Sequence, residues 1–461
     1  MSTGSGKRGG LVVKSLTEGK PLRILFFFAL PMIAGNLFQQ LYNMVDSMVV
    51  GKYVGEDALA AVGSSFPVVF LAVAVAAGLS MGCTVVISQL FGGGHIHEMK
   101  VTIATALISL GVLGLIIMGL GEILAGPLLR VLGTDPDIMA DSLAYLRIYF
   151  GGAVFLFLYN SLNGIYNALG DSKTPLMFLM LSALTNIGLD LLFVIQFGMG
   201  VPGVAWATLI AQGMCAVLAF FVLIARMKKL PNDERHADAK MVFFDRHAVS
   251  RIARVGVPSM IQQSIVSLSM MFMQGLVNSF GKVFVAGYTA ATKIDSLAMM
   301  PNMNFSNAMS SYTAQNIGAD QHERVHAGYK ATLFMCVLFS VLITVVIFLF
   351  GDQLLSLFLN PGEAGSAMGY GLQYMHTVSL FYILMGVLFT TNGLLRGAGD
   401  MKAFMCSSMV NLFSRIILAY TLAHFIGEAA IWWSIPLGWA FGALFAVARY
   451  LSGKWKTIHI V

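Results

Sequence analysis

Residues 162–173 read LNGIYNALGDSK, and residues 391–402 read TNGLLRGAGDMK. Asn163/Asn392, Gly164/Gly393, Gly170/Gly399, Asp171/Asp400 and Lys173/Lys402 are identical at a constant spacing of 229. Asn-Gly and Gly-Asp are common turn dipeptides, but five identities in one register point to a duplicated unit. Two weaker echoes lie at nearly the same spacing. Pro31 in ALPMIAG answers Pro258 in VGVPSMI, and Gln89 in SQLFGG (88–93) answers Gln315 in AQNIGA (314–319).

Around these loops the chain is apolar. Hydrophobic residues make up 57% and charged residues 11%, with a mean hydropathy of +0.79; soluble domains carry about 25% charged residues. The chain therefore reads as an integral membrane protein. A spanning helix needs about 20 apolar residues, and low-charge runs of that length occur at 24–50, 58–91, 101–123, 139–161, 176–197, 202–225, 256–279, 284–309, 327–350, 367–391, 403–424 and 430–451. The ~10-residue alternation of an outer-membrane barrel is not seen. The expected fold class is thus an all-α membrane protein of twelve transmembrane helices.

The long charged stretch RMKKLPNDERHADAKMVFFDRH (226–247) falls at mid-chain, with six runs on each side. It divides the chain into an amino-terminal segment 1–23, an N-lobe 24–225, a linker loop 226–255, a C-lobe 256–451 and a tail 452–461. Six is even, so the lobes form a parallel repeat about an axis along the membrane normal. Substrate sites in such folds lie between the repeats.

Lys and Arg set the orientation. With the amino terminus inside, inner segments hold 22 of the 28 basic residues, eight of them between Arg226 and Arg254. A multi-pass plasma (inner) membrane protein with both termini cytoplasmic follows. The first apolar run is too long for a signal-peptide core. The net charge of +6 is then topological, and nucleic acid is not an expected partner. Cys83, Cys215, Cys336 and Cys406 form no CxxC pair, which argues against disulfides and structural zinc. No P-loop, HExxH or GxSxG motif is present, so neither ATP use nor an embedded enzyme is expected, and no catalytic residue or cofactor is assigned.

Charge inside a span costs roughly 2.5–3.5 kcal/mol at its centre on insertion scales and is functional by default. Asp46, in NMVDSMVVG (43–51), lies far along the first run, and Asp190 lies in TNIGLDLLF (185–193) of the fifth. Asn186 is four residues before Asp190 and shares its helix face. Tyr145 and Thr208 begin spans that enter from outside, at a similar depth. Two carboxylates, an amide and two hydroxyls suit a hard cation. They equally suit a proton site, because two like charges close together in an apolar setting cannot both stay ionised. Asn186, Thr208 and Tyr145 also fit plain interhelical hydrogen bonds, and Arg147 is a candidate structural partner for Asp46.

The second half differs. Its span charges are Lys293 and Asp295 in ATKIDSLAMMP (291–301) and Arg415 in NLFSRII (411–417). With Gln262, Gln263 and Gln274 of the seventh run, they make either a self-neutralising polar network or a substrate-contacting one. The position equivalent to Asp46, near Met273, has no acid.

LP followed by LYNMVDS, the Asn186-x-x-x-Asp190 pair and the paired NG…GD.K loops resemble the multidrug and toxic compound extrusion (MATE) family over the whole chain. The resemblance implies a secondary antiporter that exports amphipathic, often cationic compounds for inward H⁺ or Na⁺. It places the coupling cation at Asp46, Asn186, Asp190 and Thr208, with Tyr145 nearby; these first four are also the Na⁺ ligands it implies. A branch resembling NorM carries acids in spans seven and ten, which this sequence lacks, so the C-lobe resembles the DinF-type or archaeal-type pattern instead, which implies ion coupling confined to the N-lobe. The partners implied are small-molecule drugs or metabolites and the bilayer, with one chain sufficing as a functional monomer. A lipid-linked saccharide flippase of the same superfamily is the alternative, although Lys293, Arg415 and Arg147 are few cations for a pyrophosphate. An ion channel is a third reading, disfavoured by a carboxylate cluster in only one lobe.

Overall fold

The computed structural model describes residues 15–231, 233, 242–359, 364–458 and 460, so the parts of the amino-terminal segment, linker and tail outside these ranges are not described. Fourteen α-helices follow one another, with no strand among the described residues. In the N-lobe they are α1 (Pro21–Val49), α2 (Glu56–Gly92), α3 (Ile96–Val131), α4 (Met139–Gly151), α5 (Ala153–Ala168), α6 (Lys173–Asp190) and α7 (Gly200–Lys229). The C-lobe repeats the order with α8 (Arg246–Ser279), α9 (Lys282–Gly318), α10 (His322–Ser356), α11 (Ala364–Ser379), α12 (Tyr382–Ala398), α13 (Met401–Ile426) and α14 (Ala429–Leu451).

Among the described residues nine helices are long and apolar enough to cross a membrane, and two bent pairs bring the number to eleven. The twelfth crossing is α9, which is 37 residues long but carries Lys293, Asp295, Asn302 and Asn304. It affords this polarity because much of it is packed inside the bundle. The runs 139–161 and 367–391 are each a broken crossing: α4–α5 bends by 52° and α11–α12 by 53°. The two breaks stand 229 residues apart, the spacing of the paired loops.

The duplication extends to backbone detail. Gly55 before α2 and Gly281 before α9 both take left-handed φ, of 124° and 89°, as do Gly170 and Gly399 in the repeated loops, at 75° and 83°. Such φ values are open to glycine at little cost. In each loop the aspartate then serves two ends. Asp171 accepts the N–H groups of Lys173 and Thr174 and pairs with Arg226 at the end of α7, at 2.5 Å. Asp400 accepts the N–H of Ala403 and pairs with Arg449 at the end of α14, at 2.6 Å.

This tie yields a prediction. Burial alone would raise the Asp171 carboxyl, but bonds from Arg226 and Thr174 outweigh it and hold it below the usual carboxylate range. A carboxyl lowered by folding stabilises fully above its unfolded value and loses that contribution as pH falls through the lowered folded value. Asp171→Asn is therefore expected to cost about 2 kcal/mol at neutral pH. Thermal unfolding in detergent checks this, and the gap to the wild type should narrow on acidification.

Among the described residues, close backbone contacts between the lobes gather toward one end of the bundle. We call it the linker end, because it carries Ser15–Lys20, the start of α8 and the end of α14. There one hydrophobic core runs through both lobes, from Leu16 to Ile460. Three further clusters each belong to a single lobe: one around Val49, Val194 and Val204, a small one around Tyr159 and Cys215, and one around Met273, Tyr288 and Trp432. α2 and α9 cross about a local twofold. Gln89 Nε2 donates to the Gly397 carbonyl at 3.1 Å, and Gln315 Nε2 donates to the Ala168 carbonyl at 2.7 Å. Gly92 lies against the Gln315 backbone and Gly318 against the Gln89 backbone, so close that a Cβ on either would overlap main chain. Asn36 bonds Asn304 across the lobes at 3.1 Å, and Gly78 lies against the Met260 backbone.

Candidate functional site

Helix α1 passes through Pro31 and brings Asp46 to its last turn, after which Val50–Val54 form a π-helical turn. Helix α6 does the same with Asp190, its final α-helical residue, followed by the π-helical turn Leu191–Gln196. Single π turns are rare and recur at functional sites. Here they end both acid-bearing helices within a few residues of the acid. Asp190 and Asn186 are fully buried, at 0% and 1% exposure. Asp46, Tyr145 and Thr208 are half-buried.

Asp46, Tyr145, Asn186, Asp190 and Thr208 lie in one cluster. The Asn186 amide donates to Asp190 Oδ2 at 2.9 Å, and its oxygen accepts the Thr208 backbone N–H at 3.0 Å and faces the Thr208 hydroxyl at 3.2 Å. The carboxyls of Asp46 and Asp190 lie within hydrogen-bonding reach of each other. Asp46 Oδ1 and Asp190 Oδ1 are both buried and accept no N–H or O–H bond among the described residues. No Lys, Arg or His among them comes within ion-pair distance of either acid. Arg147 is not a partner for Asp46: it is exposed and pairs with Glu122 at 3.8 Å.

Two members of the cluster were not singled out from sequence. Tyr42 sits one turn before Asp46, with its hydroxyl within reach of Thr208. Tyr149 sits one turn after Tyr145, its ring stacked on Tyr145 at 6.3 Å. The i, i+4 spacing of Tyr42 and Asp46 was a legible signal, since the two share one helix face.

In the C-lobe the three span charges do not form one network. Lys293 is exposed and lies 5.5 Å over the Phe358 ring. Asp295 is buried on α9, where Tyr382 donates to Oδ1 at 2.5 Å and Tyr374 to Oδ2 at 3.0 Å. Arg415 on α13 is half-buried and makes no ion pair among the described residues. Gln262 and Gln263 are half-buried, whereas Gln274 is exposed and bonds Asn278 along its own helix at 2.8 Å. Met273 replaces the acid of α1 inside the C-lobe core.

A family model described as MatE matches residues 31–192 and again residues 258–421. The chain belongs to the MatE family. The two matches are the two lobes, each counted once by the same model. The chain is 30% identical over 448 residues to the probable multidrug resistance protein YpnP of Bacillus subtilis, covering 96% of this chain and 98% of that one. It superposes on a crystal structure of a MATE protein in complex with MaL6 with a TM-score of 0.88 and 25% identity, covering 97% and 100% of the two chains. A structure described as the outward-facing conformation of a multidrug resistance MATE family transporter gives a TM-score of 0.87 at 25% identity, over 97% and 99%. As a MATE protein this chain is a membrane transporter and not an enzyme, with two six-crossing lobes.

One buried residue of this MATE protein escaped the sequence reading. Arg396, at the linker end of α12, is buried between the lobes. It donates to Asn307 Oδ1 at 2.9 Å and Ser310 Oγ at 3.2 Å, and it reaches Met81 Sδ of α2 at 3.3 Å. The apolar run at 367–391 stops short of it, so it counted among the inner-loop cations.

Proposed function

We propose that this transporter is a secondary multidrug efflux antiporter, exporting amphipathic, often cationic compounds in exchange for inward H⁺. The observation that carries the reading is the Asp46–Asp190 pair: two adjoining carboxyls, each with a buried oxygen left free, and no basic partner among the described residues. A single proton between them gives both free oxygens a partner. A Na⁺ ion would instead need several oxygens at once, and Asn186 is already bonded to Asp190 and to Thr208, whose hydroxyl donates to the Val204 carbonyl.

Exchange follows from competition between conformations. With the linker end on the cytoplasmic side, the close α2–α9 crossing would act as the cytoplasmic seal that opens and closes during exchange. Protonation removes charge from the Asp46–Asp190 pair and lets α1 shift or bend, with Pro31 supplying a missing N–H in its ladder. If drug and proton favour different arrangements of α1, each weakens the binding of the other by the same factor. One chain supplies both lobes, so a monomer in the plasma membrane suffices.

The DinF-like reading belongs here too, with coupling confined to the N-lobe. Proteoliposomes tell the ions apart: ethidium efflux should follow a pH gradient imposed alone and should be absent under a Na⁺ gradient alone. Efflux driven by Na⁺ without a pH gradient would replace the proton with Na⁺ at Asp46, Asn186, Asp190 and Thr208.

A further inference from the structure

The first helix of each lobe is entered from the other lobe. Leu16, ahead of α1, is buried in the core that runs through both lobes, and its N–H donates to Gln315 Oε1 of α9 at 2.8 Å. Asn316 Nδ2 of α9 and Arg324 Nη2 of α10 donate to the Leu16 carbonyl, each at 3.3 Å. Arg324 Nη1 donates to the Gly19 carbonyl at 2.7 Å. The chain leading into α8 crosses the other way. There the Asp245 N–H donates to Thr105 Oγ1 of α3 at 3.0 Å, and Arg251 of α8 pairs with Glu98 of α3 at 3.4 Å.

The two crossings use one position of the repeat. Helix α10 begins 226 residues after α3, the spacing of Gln89 and Gln315, and at that spacing Arg324 is the counterpart of Glu98. The residues that follow, Met99 and Val325, are both fully buried, so the register holds in the packing as well. What arrives differs between the halves. Helix α8 brings a guanidinium, which a carboxylate accepts, whereas the chain ahead of α1 brings main-chain carbonyls, which need a donor. The exchange of Glu98 for Arg324 follows that difference. Gln315 also donates through Nε2 to the Ala168 carbonyl at 2.7 Å, so one amide at the α2–α9 crossing fastens both the N-lobe and the Leu16 segment.

A partly exposed ion pair such as Arg251–Glu98 adds little to the stability of a fold. Its place matters more than its strength, because it joins surfaces of two lobes that rock against each other. A contact made in only one of two arrangements close in free energy shifts their ratio directly.

We propose that Glu98 and Arg324 are positioning residues of transport, each holding the first helix of the opposite lobe and releasing it when the linker end opens. Helix α1 runs from the Arg324 hold to Asp46, so a change at the acid pair reaches the closed end through one element. The inference takes from the reading above only that the linker end opens and closes, whichever ion is exchanged.

Spin labels on Lys173→Cys and Lys402→Cys, in the full-length chain carrying Cys406→Ser, read the ratio of open to closed linker ends. Glu98→Arg and Arg251→Glu should each raise that ratio about three- to tenfold, and the two together should return it to within about twofold of the wild type. Arg324→Gln should raise it as well, and should speed maleimide labelling of Leu16→Cys about fivefold or more over Leu16→Cys alone. A ratio unmoved by either charge reversal, or a double variant as open as the single ones, would overturn the proposal. The distances are read without gradient or drug. Failure of the efflux reading therefore shows separately, as absent transport in proteoliposomes by a chain whose linker end still responds to the charge swap.

Discussion

Asp46→Asn is expected to cut gradient-driven efflux by about 10- to 100-fold, the range of ordinary coupling free energies, while substrate binding persists. The substitution is nearly isosteric and sits at the end of α1, so the fold has little reason to change. What changes is chemistry. The amide donates permanently to the Asp190 carboxylate and mimics a pair that has already taken its proton. The pair then has no charge state to exchange, and drug and proton no longer compete. Asp190→Asn should act in the same direction, with an added effect on Asn186, which donates to Asp190 Oδ2 at 2.9 Å. Efflux from proteoliposomes and binding in detergent, measured on the same preparation, separate coupling from affinity.

Gly318→Leu is expected to have the second large effect. A Cβ at Gly318 would overlap the Gln89 main chain, and the reciprocal contact of Gly92 with Gln315 leaves no slack on the other side of the twofold. Backbone cannot give way as a flexible side chain can, so the linker end is unable to close. The population should shift to the form open at that end, with transport lost. Spin labels at Lys173 and Lys402, exposed equivalents in the two repeated loops, would report a longer separation than in the wild type. Gly119→Leu is the control, because a Cβ there meets nothing within 4 Å. Unchanged distances and transport in Gly318→Leu would remove this crossing from the transport cycle.

Asp46 and Asp190 were legible from sequence because an acid in an apolar run is costly enough to stand out, and their helix positions followed from counting. The duplicated loops were legible because their glycines and aspartates do fixed backbone work at left-handed turns and helix starts. The break at Leu380–Phe381 was not, since no breaker stands there, and the Gly151–Gly152 pair at the first break was a turn signal that the run-length reading passed over. Hydropathy also measures where a run is apolar, not where a helix ends. Arg396 was therefore assigned to a loop, although α12 continues to Ala398 and buries it between the lobes. Tyr149 lacked a signal of its own, because aromatic residues are common near helix ends at a membrane surface, whereas Tyr42 was marked only by its i, i+4 spacing from Asp46. The C-lobe charges were read as a group, and only their tertiary positions separate a tyrosine-held acid from an arginine with a free donor.

The central claim is that one carboxyl pair, in the N-lobe alone, exchanges a proton for the exported compound. Proton release tests it most directly, by adding tetraphenylphosphonium to purified protein in weakly buffered solution containing a pH dye. The account predicts about one proton released per cation bound by the wild type and none by Asp46→Asn, which still binds. Undiminished release from Asp46→Asn, or binding to the wild type with no release, would contradict it.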